Sequence, residues 1–158
     1  MNLDFPNKLD GTARHNLILL KCDSNALYET IEQLKNAGVN TINVGKELSE
    51  KLLTVEVSKY IAIEAQEYIH ALIEKQAVGI ASGKPKIVAL YNLGILLDQS
   101  LSLNTENLLK EFSKNITIVV VWEHDYSSGL LHWGVEQEEY YLNLSDIHVA
   151  EEGAAYEV

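Results

Sequence analysis

Four apolar runs, separated by segments with helical periodicity, constrain the fold of this chain more than any other feature. The strongest is Ile116–Trp122, in which every residue before the tryptophan is β-branched and only Thr117 is polar. Continuous apolar runs of this kind are typical of strands covered on both faces, as in parallel sheets with helices on each side. Shorter runs predict three further strands, at Asn16–Cys22, Val39–Val44 and Lys86–Tyr91.

Helical patterns lie between these runs. Apolar residues recur at spacings of three and four in four segments, at about residues 24–36, 46–53, 57–76 and 104–113. We expect Asp23 or Ser24 to cap the first helix and Gly38 to end it. Strands that alternate with helices predict an α/β fold with three layers, in which a mainly parallel sheet is flanked by helices.

The pattern changes after Gly129. Leu130–Gly134 and Glu139–Leu144 are shorter strand-like runs, and they predict an additional strand or hairpin near the carboxyl terminus. Residues 151–158 predict a flexible acidic tail. Because 158 residues fit one domain, we expect a single α/β domain over residues 1–150 followed by that tail.

Charge is distributed unevenly along the chain. Residues 1–114 contain all twelve Lys and Arg residues against fourteen Asp and Glu residues, a net charge of −2, whereas residues 115–158 contain nine acidic residues and no Lys or Arg. An acidic third repels phosphate backbones and so disfavours direct nucleic-acid binding. A basic protein partner suits it better, although an acidic segment that only confers solubility explains the same distribution equally well.

Targeting signals and cysteine content limit the location of the protein. No apolar run approaches the length of about 18 residues that a membrane-spanning helix needs, and Met1–Pro6 lacks the basic and apolar parts of a secretory signal. We therefore expect a cytoplasmic protein that makes no membrane contact. Cys22 is the single cysteine, which excludes an internal disulfide and a Cys-based zinc site within one chain.

The ends of the predicted strands are the places to test for phosphate chemistry, because ligands of open α/β sheets bind beyond the carboxyl ends of the strands. A Walker A loop needs glycines whose N–H groups surround the phosphates and a lysine that meets their charge. Lys21–Glu29 contains no glycine, and Leu27 or Tyr28 stands where the lysine belongs. The third strand ends in Tyr91 and Asn92 instead of the acidic residue that anchors Mg²⁺. We expect no catalytic residue, no cofactor and no hydrolysis.

The order of the predicted strands and turns also carries a resemblance to a known protein family. It rests on four segments within about residues 15–145, namely Leu17–Leu20, Ile42–Leu48, Asn92–Leu97 and Asn115–Trp122. In these segments the chain resembles the BrxF family of small P-loop proteins from BREX bacteriophage-defence systems. The resemblance implies a P-loop NTPase-like domain over residues 1–150 and a small cytosolic subunit that works with larger partners in antiviral defence. The family's Walker A glycines and lysine fall on Cys22, Leu27 and Tyr28, and its Walker B aspartate falls near Tyr91, so catalysis does not carry over.

Two classes of function follow from these features. The first is a non-catalytic accessory subunit of a defence complex, whose acidic carboxyl-terminal third docks a basic surface of a larger protein. Its aromatic residues are either interface anchors or core, and they are Trp122, Tyr126, Trp133, Tyr140 and Tyr141. The second is a weak nucleotide or small-ligand binder without hydrolysis. Its candidate contacts are Asp23, Ser24, Asn25, Asn92 and Glu123.

Metal binding is the remaining possibility at the strand ends. Glu123, His124 and Asp125 follow the strongest predicted strand, and His132 or His148 would have to approach them to complete a site. Transition metals usually draw converging ligands from separate elements, and adjacent residues seldom point together. We therefore interpret these three residues as a solvated loop and predict no metal site.

Overall fold

Eight strands and four α-helices make up the regular structure of the described residues. The computed structural model describes residues 16–53, 60–80, 82–97, 103–124, 126–127, 130–133, 140–143 and 150–153. The strands are β1 (Leu17–Lys21), β2 (Thr41–Asn43), β3 (Lys86–Tyr91), β4 (Ile116–Trp122), β5 (Tyr126–Ser127), β6 (Leu130–Trp133), β7 (Tyr140–Asn143) and β8 (Ala150–Gly153). The helices are α1 (Leu27–Asn36), α2 (Val44–Leu52), α3 (Ile61–Gln76) and α4 (Thr105–Phe112).

Five of the strands form one parallel sheet in the order β2-β3-β4-β1-β8. Strand β1 is internal, because Leu19 pairs with Val120 of β4 on one side and with Glu151 of β8 on the other. Strands β5, β6 and β7 form a separate antiparallel sheet. The predicted parallel sheet and the predicted carboxyl-terminal hairpin are both confirmed.

Alternate residues of the central strands enter two different cores. On one face of the sheet, Leu20 of β1 packs in a cluster with Ile31 of α1. On the other face, Leu19 of β1 shares a cluster with α2, α3 and α4, and with Leu131 and Leu142 of the β6–β7 pair. Helices thus cover the sheet on both sides, which gives the predicted three-layer α/β arrangement.

The helix ends explain why the chain turns where it does. Gly38 has a φ angle of 85°, and the Val39 and Gly38 N–H groups donate to the carbonyls of Leu34 and Lys35, each at 3.0 Å. This is the Schellman arrangement that the glycine predicts. Helix α4 begins after a side-chain cap, since the Asn104 side-chain oxygen accepts from the Asn107 N–H at 3.1 Å. Among the described residues, no helix combines the length and the apolar composition that a membrane crossing requires.

The predicted cap of α1 is wrong. Between β1 and α1 the chain forms a short 3₁₀ turn at Ser24–Ala26. Asp23 precedes this turn and makes no side-chain cap hydrogen bond, and the residue before α1 is Ala26, whose methyl side chain cannot make one. Helix α1 therefore begins at Leu27, whose N–H bonds to the Ser24 carbonyl. The Ala26 and Leu27 N–H groups, where α1 begins, are bonded within the turn and need no side-chain cap.

Element bounds differ from the predicted ones at three places. Strand β2 is shorter than the predicted 39–44, and α2 begins at Val44 instead of residue 46. Helix α3 begins at Ile61, while the predicted start at Val57 lies outside the described residues. Residues 151–153, at the start of the predicted tail, belong to β8. An edge strand pairs through its backbone groups and tolerates charged side chains. Strand β8 contains two adjacent glutamates, so no apolar pattern predicted it. Residues 154–158 lie outside the described residues.

A close approach between α2 and the end of β3 fixes the carboxyl edge of the sheet. The Gly45 N–H donates to the Asn92 carbonyl at 2.9 Å, and Asn92 itself has a φ angle of 56°. The Asn92 amide nitrogen donates to the Asn43 side-chain oxygen at 2.9 Å, and that same oxygen caps α2 by accepting from the Lys46 N–H. A Cβ on Gly45 would lie 2.8 Å from Asn92 Cγ and 3.1 Å from its carbonyl oxygen. Any larger residue at this position would have to displace the Asn92 side chain and its carbonyl.

Substitution of Gly45 tests this contact. We expect Gly45→Ala to lower the free energy of unfolding by about 1 to 2 kcal/mol, because overpacking costs about 1 to 3 kcal/mol and the better helix propensity of alanine offsets up to about 1 kcal/mol of it. The change should be measured by urea denaturation. Gly79→Ala is the matched control, since a Cβ at Gly79 meets nothing within 4 Å, and it should change stability by less than about 0.5 kcal/mol. Equal effects of the two substitutions would contradict the contact.

Candidate functional site

The carboxyl ends of β1 and β4 meet where the chain connections leave toward opposite faces of the sheet. Helix α1 follows β1 on one face, and the β6–β7 pair follows β4 on the other. The Cys22 N–H donates to the Trp122 carbonyl at 3.0 Å, which extends the pairing past the end of β1. In open α/β sheets, such a switch point is where ligands bind. The segment Asp23–Asn25 and the residue Glu123, all predicted ligand contacts, lie at this one edge.

The turn after β1 differs from a phosphate-binding loop in its backbone. Only Cys22 and Asp23 separate β1 from the 3₁₀ turn. The Ala26 N–H bonds to the Asp23 carbonyl at 2.9 Å, and the Leu27 N–H bonds to the Ser24 carbonyl. A phosphate cradle needs a run of N–H groups that point at the ligand, and here two of them are already bonded within the turn.

Side chains at the turn are accessible and mainly polar or acidic. Asp23, Ser24 and Asn25 are exposed, and so is Glu29 in the first turn of α1. Tyr28, at the position where a Walker A lysine would lie, is 79% exposed. The turn therefore offers hydroxyl, amide and carboxylate groups to a ligand, and an aromatic ring where the phosphate-binding cation would be.

Cys22 lies beneath the turn and is buried. Its thiol is hydrogen-bonded with the hydroxyl of Thr30, which itself donates to the Ala26 carbonyl at 2.9 Å. Burial raises the pKa of the Cys22 thiol above its usual value, and the nearby Glu123 carboxylate raises it further, while Thr30 acts in the opposite direction. A thiol with a raised pKa stays protonated at neutral pH and is a poor nucleophile.

The raised pKa predicts how stability depends on pH. The folded thiol holds its proton to higher pH than the unfolded one. The protonated Cys22 thiol therefore contributes its full share of the free energy of unfolding below the unfolded pKa of about 8.5, and this contribution is lost as pH rises above that value. We expect Cys22→Ala to lose less stability than the wild type between about pH 7.5 and 9.5, measured by urea denaturation at each pH. Glu123→Gln should also lose less than the wild type, and Glu29→Gln should match the wild type. The same loss in all four proteins would show that the ends of β1 and β4 are not assembled as described.

Asn92 lies at the same edge but is engaged within the protein. It follows β3, which neighbours β4, and its side chain is exposed. Its amide nitrogen donates to Asn43, and its carbonyl accepts from Gly45. Of the five predicted ligand contacts, Asn92 is thus the one whose amide holds two elements of the fold together.

The aromatic residues predicted as interface anchors or core divide between two groups. Trp122 is 2% exposed, belongs to the core on the α2–α4 face, and stacks edge-on with His124 at 5.3 Å between ring centres. Its indole is therefore part of the core and does not reach the surface. For the other four residues the structure describes the backbone, which lies in β5, β6 and β7, and their side chains are outside the described part: Tyr126, Trp133, Tyr140 and Tyr141.

The sequence alone predicted no role for two residues of this edge. The Lys21 ammonium donates to the Cys22 carbonyl at 3.3 Å, and Thr30 contacts the Cys22 thiol. The sequence does contain a signal for Lys21, because a lysine stands out at the end of an apolar strand. Thr30 gives no such signal, because its contact with Cys22 depends on how α1 packs on the sheet.

No family model, curated protein or solved structure matches this chain. Within the described residues, no group of three or more His, Cys, Asp or Glu side chains is placed to hold a metal ion. Asp125 and His148 lie outside the described residues, as does the side chain of His132. The site is therefore assigned from its own geometry, as an acidic and polar edge at the switch point of a parallel sheet.

Proposed function

We propose that this protein is a non-catalytic, P-loop NTPase-like accessory subunit of a BREX-type antiphage defence system, which acts in the cytoplasm by binding a larger protein subunit. The observation that carries the proposal is the turn after β1. It occupies the position of a phosphate-binding loop, at the end of an internal strand and before a helix, yet its amides at Ala26 and Leu27 are bonded within the turn.

Charge at the same edge also opposes a nucleotide. The carboxylates of Asp23 and Glu29 are exposed on the turn and on α1, and Glu123 lies close enough to influence Cys22. A triphosphate would have to enter this negative field without a Walker A lysine, because Tyr28 stands at that position. The Lys21 ammonium is bonded to the Cys22 carbonyl. The chemistry of the edge thus favours a protein-binding role over hydrolysis.

The distribution of charge supports a basic protein partner. Residues 115–158 carry nine acidic residues and no Lys or Arg. Complementary charge accelerates association and selects partners, and its effect weakens as salt screens it. The acidic third begins with β4, and the β6–β7 pair within it is anchored to the core by Leu131 and Leu142. A surface held in this way is preorganised for docking.

A second candidate is weak binding of a nucleotide or small ligand without hydrolysis. The observation in its favour is the exposure of Asp23, Ser24 and Asn25 at the switch point, where ligands of open α/β sheets bind. The Ser24 hydroxyl and the Asn25 amide provide side-chain donors at this turn, in which the Ala26 and Leu27 N–H groups are already bonded. Because the Asp23 and Glu123 carboxylates repel anions, a neutral or cationic small ligand fits this candidate better than a nucleotide does.

Co-purification with the larger subunits encoded beside it tests the proposed function. We expect the tagged protein to capture one of them, and the yield to fall when NaCl rises from about 0.05 to 0.5 M, because added salt screens charges across an interface. Substitution of Glu136, Glu138 and Glu139 by Gln should reduce the captured amount several-fold, since it removes charge from the acidic third.

The matched control removes the same charge elsewhere. Substitution of Glu32, Glu74 and Glu106 by Gln leaves residues 115–158 unchanged and should preserve capture. An equal reduction by both triple variants would show that only net charge matters, and absence of capture at every salt concentration would contradict the proposed function.

A further inference from the structure

A lysine-bearing loop lies at the amino edge of the parallel sheet, the edge at which its strands begin. The loop joins α3 to β3 and consists of residues 79–86, of which all but residue 81 are described. Val78 and Ile87 close it, because each donates its N–H to the carbonyl of the other, at 3.0 and 2.8 Å. Lys84 and Lys86 are exposed, and the loop contains no acidic residue. The loop is therefore fixed at its base, and its two lysines are accessible to a partner.

A third exposed lysine lies at the start of the neighbouring strand. Lys86 of β3 pairs in register with Ile116 of β4, and Lys114 precedes Ile116 by two residues. Adjacent strands are about 4.8 Å apart and two residues span at most about 7 Å, so the Cα atoms of Lys86 and Lys114 lie within about 12 Å of each other. The Cα atom of Lys84 lies within about 7 Å of that of Lys86. We call Lys84, Lys86 and Lys114 the basic edge.

Carboxylates beside the basic edge are engaged in exposed ion pairs. Glu111 lies 2.8 Å from the Lys114 ammonium, and the two side chains are 64% and 41% exposed. Exposed pairs of this kind contribute only about 0 to 1 kcal/mol, so Lys114 can exchange Glu111 for a carboxylate of a partner. Glu74, near the end of α3, lies 3.0 Å from His70. Among the described residues, no carboxylate pairs with either lysine of the loop.

Helix dipoles do not account for the lysines of the loop. Lys35 and Lys75 lie in the last turns of α1 and α3, where a cation offsets the negative end of the helix. Such lysines have a structural role. Lys84 and Lys86 belong to no helix, so their charge is left for an interaction outside the fold.

The basic edge is electrostatically separate from the acidic carboxyl edge of the sheet. Strand β4 runs from one edge to the other, and its seven residues span about 20 Å. Glu123 follows its last residue. At physiological ionic strength, exposed charges are screened beyond about 8 Å. A short ligand at the basic edge therefore interacts mainly with the three lysines, although the whole chain carries a net charge of −11.

We propose that the basic edge docks a short acidic segment of a partner protein. The three Cα atoms spread over at most about 19 Å, which about six residues of extended chain can span. Carboxylates on such a segment complement the ammonium groups in charge. Nucleic acid fits less well, because three lysines neutralise few phosphates and a long polyanion would extend beyond the basic edge. A nucleotide also fits less well, because the loop precedes a strand, whereas a phosphate cradle opens a helix.

A second copy of this chain is the nearest alternative occupant, since its residues 115–158 are acidic. The inference rests on the proposed function at this point, because that function assigns residues 115–158 to a larger subunit. A self-associated protein would use its basic edge and its acidic third in the same contact and leave neither for a partner. The acidic segment therefore belongs to another protein.

A defined acidic peptide tests this proposal. The probe is a tetramethylrhodamine-labelled peptide of about ten residues in which Glu and Gly alternate, long enough to span the basic edge. Its dissociation constant is measured by fluorescence anisotropy in about 0.05 M NaCl, where screening is weak. We expect Lys84→Glu to weaken binding at least about fivefold, because it reverses one of the three charges.

The matched control is Lys46→Glu. It makes the same change of charge at an exposed position in the first turn of α2, after the carboxyl end of β2. We expect this variant to bind the peptide within about twofold of the wild type, because screening separates Lys46 from the basic edge. Both substituted side chains are exposed, so both variants should keep the urea midpoint of the wild type.

Other outcomes overturn the proposal. Absence of binding by the wild type, or equal weakening by the two variants, would show that the basic edge does not hold the peptide. Equal binding of a Gln/Gly peptide would show that charge is not what is recognised. Tighter binding of a DNA duplex, or a dimer in sedimentation velocity, would assign the edge to nucleic acid or to self-association if Lys84→Glu abolishes it. If capture by a defence subunit fails while the peptide result holds, the proposed function fails and the docking surface stands. The reverse result would refute the docking surface alone.

Discussion

The structure depends on β1 being an internal strand that is buried on both faces. Its residues Leu17–Leu20 are almost completely buried, and their backbone pairs with β4 and β8. Burial at this level contributes about 1.5 to 3 kcal/mol for each large apolar side chain, so the position of the strand is fixed strongly. Because α1 leaves on one face and the β6–β7 pair lies on the other, the end of β1 becomes the switch point of the sheet. The candidate site results from that placement. Cys22 lies beneath the turn, and its N–H donates to the Trp122 carbonyl, which links the end of β1 to β4.

Much of the fold was predictable because a strand that is buried on both faces has a continuous apolar sequence. β4 was found from its unbroken run of β-branched residues, and the Schellman ending of α1 was found from Gly38. Two features were missed for physical reasons. β8 pairs through its backbone at the sheet edge, where Glu151 and Glu152 are tolerated and no apolar pattern is required. The Ala26 and Leu27 amides bond within the 3₁₀ turn, so Asp23 is not needed as a cap although its residue type favours that role.

The candidate site was predictable in its location and less so in its contacts. Parallel strands bring their carboxyl ends to one edge, so Asp23 and Glu123 were expected together although a hundred residues separate them. The engagement of Asn92 with Asn43 and Gly45 depends on the packing of α2 against β3, which no local pattern encodes. Periodicity likewise predicts which face of α3 enters the core, and Ile63, which lies off that face, is 54% exposed.

The bonding of the Ala26 and Leu27 amides within the turn is the central claim, since the proposal of a non-catalytic, protein-binding role depends on it. The most direct measurement is a ¹⁵N-resolved NMR titration with Mg²⁺-ATP to about 5 mM that follows the amides of residues 22–28. Because the Ala26 and Leu27 N–H groups are bonded within the turn, the account predicts no saturable shift at these positions. Saturable shifts of those two amides, with a dissociation constant below about 100 μM, equivalent to about −5.5 kcal/mol, would contradict it.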